Sequence, residues 1–229
     1  MKTKVYNSLD DISRAATDEL LSIVNGAPLS IIVPGGDTPK GFFDLLSKEI
    51  VDWKNICLIL SDERMVSWNH DDSNYGALKK ILLDKISRNN KPKIIPNMEK
   101  YNENNIKKFI NKTNHSLIKK LPISYAFLGL GTDGHTASLF SGKTMVSMKD
   151  EPYFLTMKEN EPYKRMTLSI EFLQEISNIT FLVSGRSKFE ALSIIHGRKE
   201  IKNISPSQKL IDHTKGMINI FCDRQALFG

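Results

Sequence analysis

One histidine stands in a setting suited to chemistry. His135 follows the apolar run Tyr125-Ala126-Phe127-Leu128 and a turn holding Gly129, Gly131 and Gly134; Asp133 lies two residues before it and Thr136 directly after. The run predicts a buried strand, and open α/β sheets place their ligands beyond the carboxyl ends of such strands. A carboxylate beside an imidazole fixes its tautomer and supports its charged form. An imidazole titrating near neutrality is well matched to taking a proton from water. If Gly134 adopts a turn conformation, Asp133 and His135 reach one pocket. Read alone, the same pattern also fits a histidine that only braces the turn. The chain shows no GxSxG elbow, no nucleophilic cysteine setting and no metal-ligand spacing, which leaves base-activated water as the natural chemistry.

The other histidines are less suited. His115 and His213 lie in polar surroundings, His196 ends a helix, and His70 beside Asp71 and Asp72 lacks a recognisable metal spacing.

Three further loops follow predicted strands. Leu29 to Val33 is one strand, and Pro34-Gly35-Gly36-Asp37-Thr38-Pro39 turns the chain into a helix. Two adjacent glycines let backbone N–H groups approach an anion at the helix start. Thr38 is expected to cap that helix, with Pro39 at its first position. No Gly-Lys-Ser/Thr follows, so this is not a nucleoside triphosphate loop. Ile56 to Leu60 leads into Ser61-Asp62-Glu63-Arg64, where Arg64 reads as an anion clamp or as a partner of Asp62 or Glu63. Ile179 to Val183 leads into Ser184-Gly185-Arg186 and a helix with an expected capping box, Ser187 with Glu190. Lys188 then falls at the helix start, as an anion contact or a solvated lysine. Arg165 opens the alternating strand Arg165 to Ile170 and shares the ambiguity of Arg64.

The elements around these loops alternate. Residues 9–25, 104–120 and a segment after Ser73 carry helical spacing; Lys93 to Ile95, Tyr153 to Met157 and Met217 to Cys222 read as strands. Apolar strands alternating with helices predict an α/β fold with a mostly parallel sheet covered on both faces. The length, 229 residues, suits a single domain over 1–229, and 40% hydrophobic with 25% charged residues is ordinary globular composition. There is no apolar run of about 18 residues for a membrane span and no signal-peptide core, so a cytoplasmic protein without membrane association is expected. Cys57 and Cys222 sit in apolar runs and read as buried free thiols. A net charge of +6 suits an anionic small molecule. The pairs Lys107-Lys108 and Lys119-Lys120 lack aromatic interleaving and read as solvated helix faces rather than a nucleic-acid surface.

Taken together, PGGDTP (34–39), SDERMV (61–66) with Ser73-Asn74, LGLGTDGHTASLF (128–140), RMTLS (165–169) and FLVSGRSK (181–188) resemble the 6-phosphogluconolactonase family, within the wider group that includes glucosamine-6-phosphate deaminases. Asp223, closing the last strand, fits too. The resemblance implies a three-layer α/β/α sandwich of modified Rossmann type and a carboxylic ester hydrolase of the oxidative pentose phosphate pathway. It implies His135 as the base activating water against a lactone carbonyl, with Asp133 supporting it. Gly35, Gly36, Thr38, Arg64, Arg165 and Lys188 would hold the phosphate and place the sugar. No metal or organic cofactor is implied, and a monomer or small homo-oligomer is expected.

The deaminase branch resembles DGHIAFNEP here, with a glutamate five residues after the histidine; this chain has Phe140 there. A deaminase/isomerase and a non-catalytic phosphosugar-binding module are the alternatives. One departure concerns Asp37, where the family usually has a small hydroxyl residue. A carboxylate beside a phosphate is repulsive, so either Asp37 points away or this loop is not the phosphate contact.

Overall fold

A computed structural model of the chain describes residues 1–141, 151–158, 160–199 and 204–229. Residues 142–150, 159 and 200–203 lie outside the described residues.

Seven strands form a wholly parallel sheet: β1 (Lys2–Tyr6), β2 (Leu29–Val33), β3 (Ile56–Leu60), β5 (Lys93–Ile95), β6 (Tyr125–Gly129), β9 (Asn178–Val183) and β10 (Met217–Asp223). Their order is β1-β10-β9-β6-β2-β3-β5. The chain builds outward from β2 through β3 to β5, then crosses to β6 and builds the other way. The reversal between β2 and β6 is a topological switch point, where doubly wound sheets open a crevice. A three-stranded antiparallel sheet, β4 (Asp62–Arg64), β8 (Lys164–Leu168) and β7 (Tyr153–Met157), accompanies it.

The strand period of two sorts the core into two layers. Ile31, Val33, Leu58, Leu60 and Phe127 pack with Ile12, Ala16 and Leu20 of α1 (Leu9–Ile23), Phe42, Phe43 and Leu46 of α2 (Lys40–Leu46), and Leu78 of α3 (Asn74–Ile81). The alternate residues Ile32, Cys57, Ile59, Ala126 and Leu128 pack with Ile110 and Leu117 of α4 (Ile106–Ile118) and Leu173 of α5 (Ile170–Gln174). The same layer includes Leu192 of α6 (Phe189–Ile195), Leu210 of α7 (Pro206–His213) and Ala226 of α8 (Arg224–Phe228). This is the expected three-layer sandwich, with every central strand apolar on both sides. Burying each large apolar side chain contributes roughly 1.5–3 kcal/mol. Cys57 and Cys222 are both buried and unpaired, and burial pushes each thiol up to about 11.

Several elements differ from the sequence reading. The polar segment 62–64 is a strand, because it gains an antiparallel partner in β8 with Asp62 opposite Thr167 and Arg64 opposite Arg165. β1 and α7 are additional elements. No described helix is long and apolar enough to cross a membrane.

Candidate active site at the strand ends

The loops after β2, β3, β6 and β9 leave the same end of four adjacent parallel strands. The loop after β6 is the most tightly built. The Gly131 N–H donates to the His135 carbonyl at 2.7 Å and Gly134 N–H to the Gly131 carbonyl at 3.1 Å, while Thr136 Oγ1 donates to the Gly129 carbonyl at 2.9 Å. Gly134 sits at φ +79°, as the turn requires. Gly131 has a different reason to be glycine: a Cβ there would lie 2.0 Å from His135 Nδ1. The start of α7 closes the turn from outside, with the Ser207 N–H (3.1 Å) and Oγ (2.7 Å) both donating to the Gly134 carbonyl.

This frame sets His135 Nδ1 at 2.5 Å from Asp133 Oδ1. The bond to His135 draws the Asp133 carboxyl down to about 2 against the opposing effect of burial. An ionised carboxylate only accepts, so Nδ1 carries the proton and the neutral imidazole keeps its lone pair on Nε2. The ring of Phe140 lies 5.0 Å from the imidazole, and the Arg165 guanidinium lies 5.6 Å from that ring.

In the loop after β2, Gly36 takes φ +84° and the Asn74 side chain occupies the space where a Gly35 Cβ would be. Thr38 does not cap α2: Pro39 holds the cap position without a side-chain bond, and the Lys40 N–H donates to the Asp37 carbonyl at 3.1 Å. The Asp37 side chain, 93% exposed, turns to Lys40 Nζ at 2.6 Å. Lys40 holds its pKa down, and Arg64 adds to that. Asp37 therefore has a cation of its own, and it lies within the field of Arg64.

In the loop after β3, Glu63 is fully buried and binds the start of α3. It accepts from the N–H of Asn74 (2.8 Å), of Tyr75 (2.7 Å) and of Arg64 (2.7 Å), and from Ser73 Oγ (3.2 Å). Burial pushes its carboxyl up to about 7, with the three backbone donors pulling the other way. Ser73 caps α3, accepting from the Gly76 N–H at 3.0 Å. The Arg64 guanidinium is bound to neither neighbouring carboxylate. Its Nη1 donates to the Asp72 carbonyl at 2.7 Å, and its buried Nε has no hydrogen-bond partner among the described residues.

Arg165 is engaged. Its Nε and Nη2 each donate to Glu161 at 2.7 Å, its Nη1 donates to Ser138 Oγ at 3.2 Å, and Asp62 lies 3.8 Å away. Ser138 in turn donates to Asp62 Oδ2 at 2.5 Å. This buried chain ties the segment after His135 to the small sheet.

In the loop after β9, the Ser187–Glu190 capping box does not form. α6 begins at Phe189 after a 3₁₀ turn over Arg186–Lys188, and Lys188 holds the cap position without a side-chain bond. The physical reason is Gly185 at φ +92°, whose N–H is taken by Asp223 at 2.9 Å, so the chain enters the helix through a tighter turn. Asp223 also accepts from Ser184 Oγ at 2.5 Å and caps α8 through the Ala226 N–H at 2.8 Å. Lys188 is half-buried; desolvation lowers its pKa while the charge of Asp133 raises it. It thus shares the neighbourhood of the Asp133–His135 pair.

The structure therefore joins Asp133, His135 and Lys188 in one neighbourhood, and Arg64 with the Gly35–Thr38 loop in another beside it. Arg165 lies over the Phe140 ring, held by Glu161 and Ser138. Sequence reasoning missed Ser138, Glu161 and Ser207. Glu161 and Arg165 are spaced four apart, a signal that reads as an ordinary surface pair; Ser207 gave none, since its contact with Gly134 spans 73 residues. No group of three or more His, Cys, Asp or Glu that could hold a metal occurs among the described residues.

A family model described as glucosamine-6-phosphate isomerases/6-phosphogluconolactonase matches residues 7–218. The chain is similar to a 6-phosphogluconolactonase of Haemophilus influenzae, 31% identical over 207 residues that cover 87% of each protein. A 6-phosphogluconolactonase of Helicobacter pylori is 31% identical over 191 residues, covering 80% of this chain and 81% of that one. Among solved structures, the crystal structure of the devB protein matches with a TM-score of 0.85 at 26% identity, covering 98% of this chain and 97% of that one. A monomeric glucosamine-6-phosphate deaminase matches with a TM-score of 0.81 at 19% identity, over 99% and 98% of the two chains, a likeness of fold alone.

Proposed function

The chain belongs to the glucosamine-6-phosphate isomerase/6-phosphogluconolactonase family, and from that premise we propose that it hydrolyses 6-phospho-D-glucono-1,5-lactone to 6-phospho-D-gluconate, the second step of the oxidative pentose phosphate pathway. The observation that carries this reading is the Asp133–His135 pair at 2.5 Å, which leaves Nε2 as the base at the mouth of the parallel sheet. On this reading the enzyme is a cytoplasmic single domain, a monomer or small homo-oligomer, working without metal or organic cofactor.

The reaction follows from the groups present. His135 Nε2 takes a proton from water as its oxygen attacks the lactone C1. The tetrahedral intermediate collapses with cleavage of the bond from C1 to the ring oxygen. The imidazolium returns its proton to that oxygen, leaving a hydroxyl and a carboxylic acid that ionises in solution. Asp133 stabilises the imidazolium while it exists. A general base in this role contributes about 10²–10⁴-fold. Lys188, Arg64, Arg165, which pairs opposite Arg64 across the small sheet, and the N–H groups around Gly35, Gly36 and Thr38 take the phosphate. The buried Nε of Arg64, unpartnered among the described residues, would gain an acceptor in it.

Phe140 supports lactone over amino sugar. Isomerising an amino sugar needs a second acid/base group near the histidine, and this chain sets an aromatic ring there. The test follows acid release from freshly generated 6-phosphogluconolactone and ammonia release from glucosamine 6-phosphate. Acid release well above spontaneous hydrolysis, without ammonia, is expected. Acid release no faster than the blank would overturn the proposal.

A further inference from the structure

We propose that Glu161 is an internal competitor of the substrate, holding with its carboxylate the Arg165 guanidinium edge that the phosphosugar's phosphate takes over on binding. The proposal rests on the reading of Arg165 as a phosphate contact.

The geometry is that of an anion in a fork. Glu161 Oε2 accepts from Arg165 Nε and Oε1 from Nη2, both at 2.7 Å. A phosphate presents the same pair of oxygens to the same edge of a guanidinium. The Arg165 side chain is only 7% exposed, so a second anion cannot reach that edge while Glu161 holds it.

The two partners differ in what else fixes them. Arg165 lies in β8, bonded to Ser138 Oγ, near Asp62 and over the Phe140 ring. Glu161 lies between β7 and β8, and its other partner is Lys158 Nζ at 3.1 Å, a lysine 47% exposed. If one partner leaves, it is Glu161, and Lys158 already stands ready to hold the displaced carboxylate. The arrangement also has a physical rationale in the empty enzyme. A buried guanidinium without an anion is costly, and Glu161 supplies one. The substrate then spends part of its binding energy on the exchange, and KM rises accordingly.

The test measures binding of inorganic phosphate by calorimetry and KM for the lactone. Glu161→Gln sets an amide against the guanidinium and releases one of its two bonds. It is expected to tighten phosphate and lower KM by about 3–10-fold. Glu161→Asp, which shortens the reach, is expected to move both in the same direction by less, and it decides the matter if the glutamine variant fails to fold. Lys158→Ala removes the resting place of the displaced carboxylate and is expected to raise KM. Arg165→Lys separates the two ways of failing. If it weakens phosphate binding while neither Glu161 variant tightens it, Arg165 is a phosphate contact and the competition is refuted. If it leaves phosphate binding unchanged, the reading of Arg165 falls and the competition with it.

Discussion

Arg64, Arg165 and Lys188 stand at or beside the ends of the central strands, whereas Lys91, Lys93, Lys100, Lys108 and Lys112 line a groove of about 1360 Å³ at the β5 edge of the sheet. The groove has more charge: nine lysines and arginines line it against one carboxylate, Glu99. Yet those five lysines are exposed and have no ion pair among the described residues. An anion binding there must immobilise each long side chain at the moment of contact, at up to about 2 kcal/mol of rotamer entropy apiece. At the strand ends that cost is met on folding. Arg64 is fixed by the Asp72 carbonyl, Arg165 by Glu161 and Ser138, and Lys188 is restrained by half-burial beside the charge of Asp133. Charge marks the groove, while order and a positioned base mark the strand ends. Lys93, on a short edge strand flanked by Pro92 and Pro96, also has a structural use, since a charge there discourages pairing with another chain.

Four measurements can break or sharpen this contrast. The largest effect belongs to His135→Ala, expected to lose roughly 10²–10⁴-fold in kcat with the fold retained in a thermal melt. Asp133→Asn comes next. Its amide can donate to Nδ1 and move the proton to Nε2, or flip and accept as before, so a loss of about 10–10²-fold in kcat is expected. Lys188→Ala is expected to raise KM about 10–100-fold, the worth of a charge-assisted contact to phosphate. The smallest effect belongs to the groove. The double replacement Lys108→Ala with Lys112→Ala is expected to leave kcat/KM within about 2-fold and stability within about 0.5 kcal/mol. A groove variant that raised KM as much as Lys188→Ala would erase the distinction.

The same pair predicts an acid dependence. The Asp133 carboxyl titrates at about 2, below its ordinary 3.8, so it stabilises the folded protein above its unfolded value. That contribution is lost as the pH falls from about 4 to about 2. Acid unfolding followed by circular dichroism is expected to show a component in this window that Asp133→Asn lacks.

What was legible in the sequence follows from how local each signal is. The apolar strands β2, β3, β6 and β9 are buried on both faces, so their composition alone marks them. The loops that follow them were legible for the same reason, and with them His135, Asp133 and Lys188. The small sheet was not, because β4 is three polar residues that become a strand only by pairing with β8, about 100 residues later. Thr38 and Ser187 show the opposite error. Each is a capping residue type in a capping position, and each is overruled by its turn. Ser207 and Ser138 act through contacts that only the folded chain creates. The groove lysines, read as solvated faces, come from several segments that the fold gathers; they remain exposed once gathered.

The most direct test of the account is a crystal structure with 6-phosphogluconate bound. The account predicts the C1 carboxylate within hydrogen-bonding distance of His135 Nε2 and the phosphate against Lys188 and Arg64. A product molecule seated in the β5-edge groove, or one at the strand ends with its phosphate on His135 and its carboxylate turned away, would contradict it.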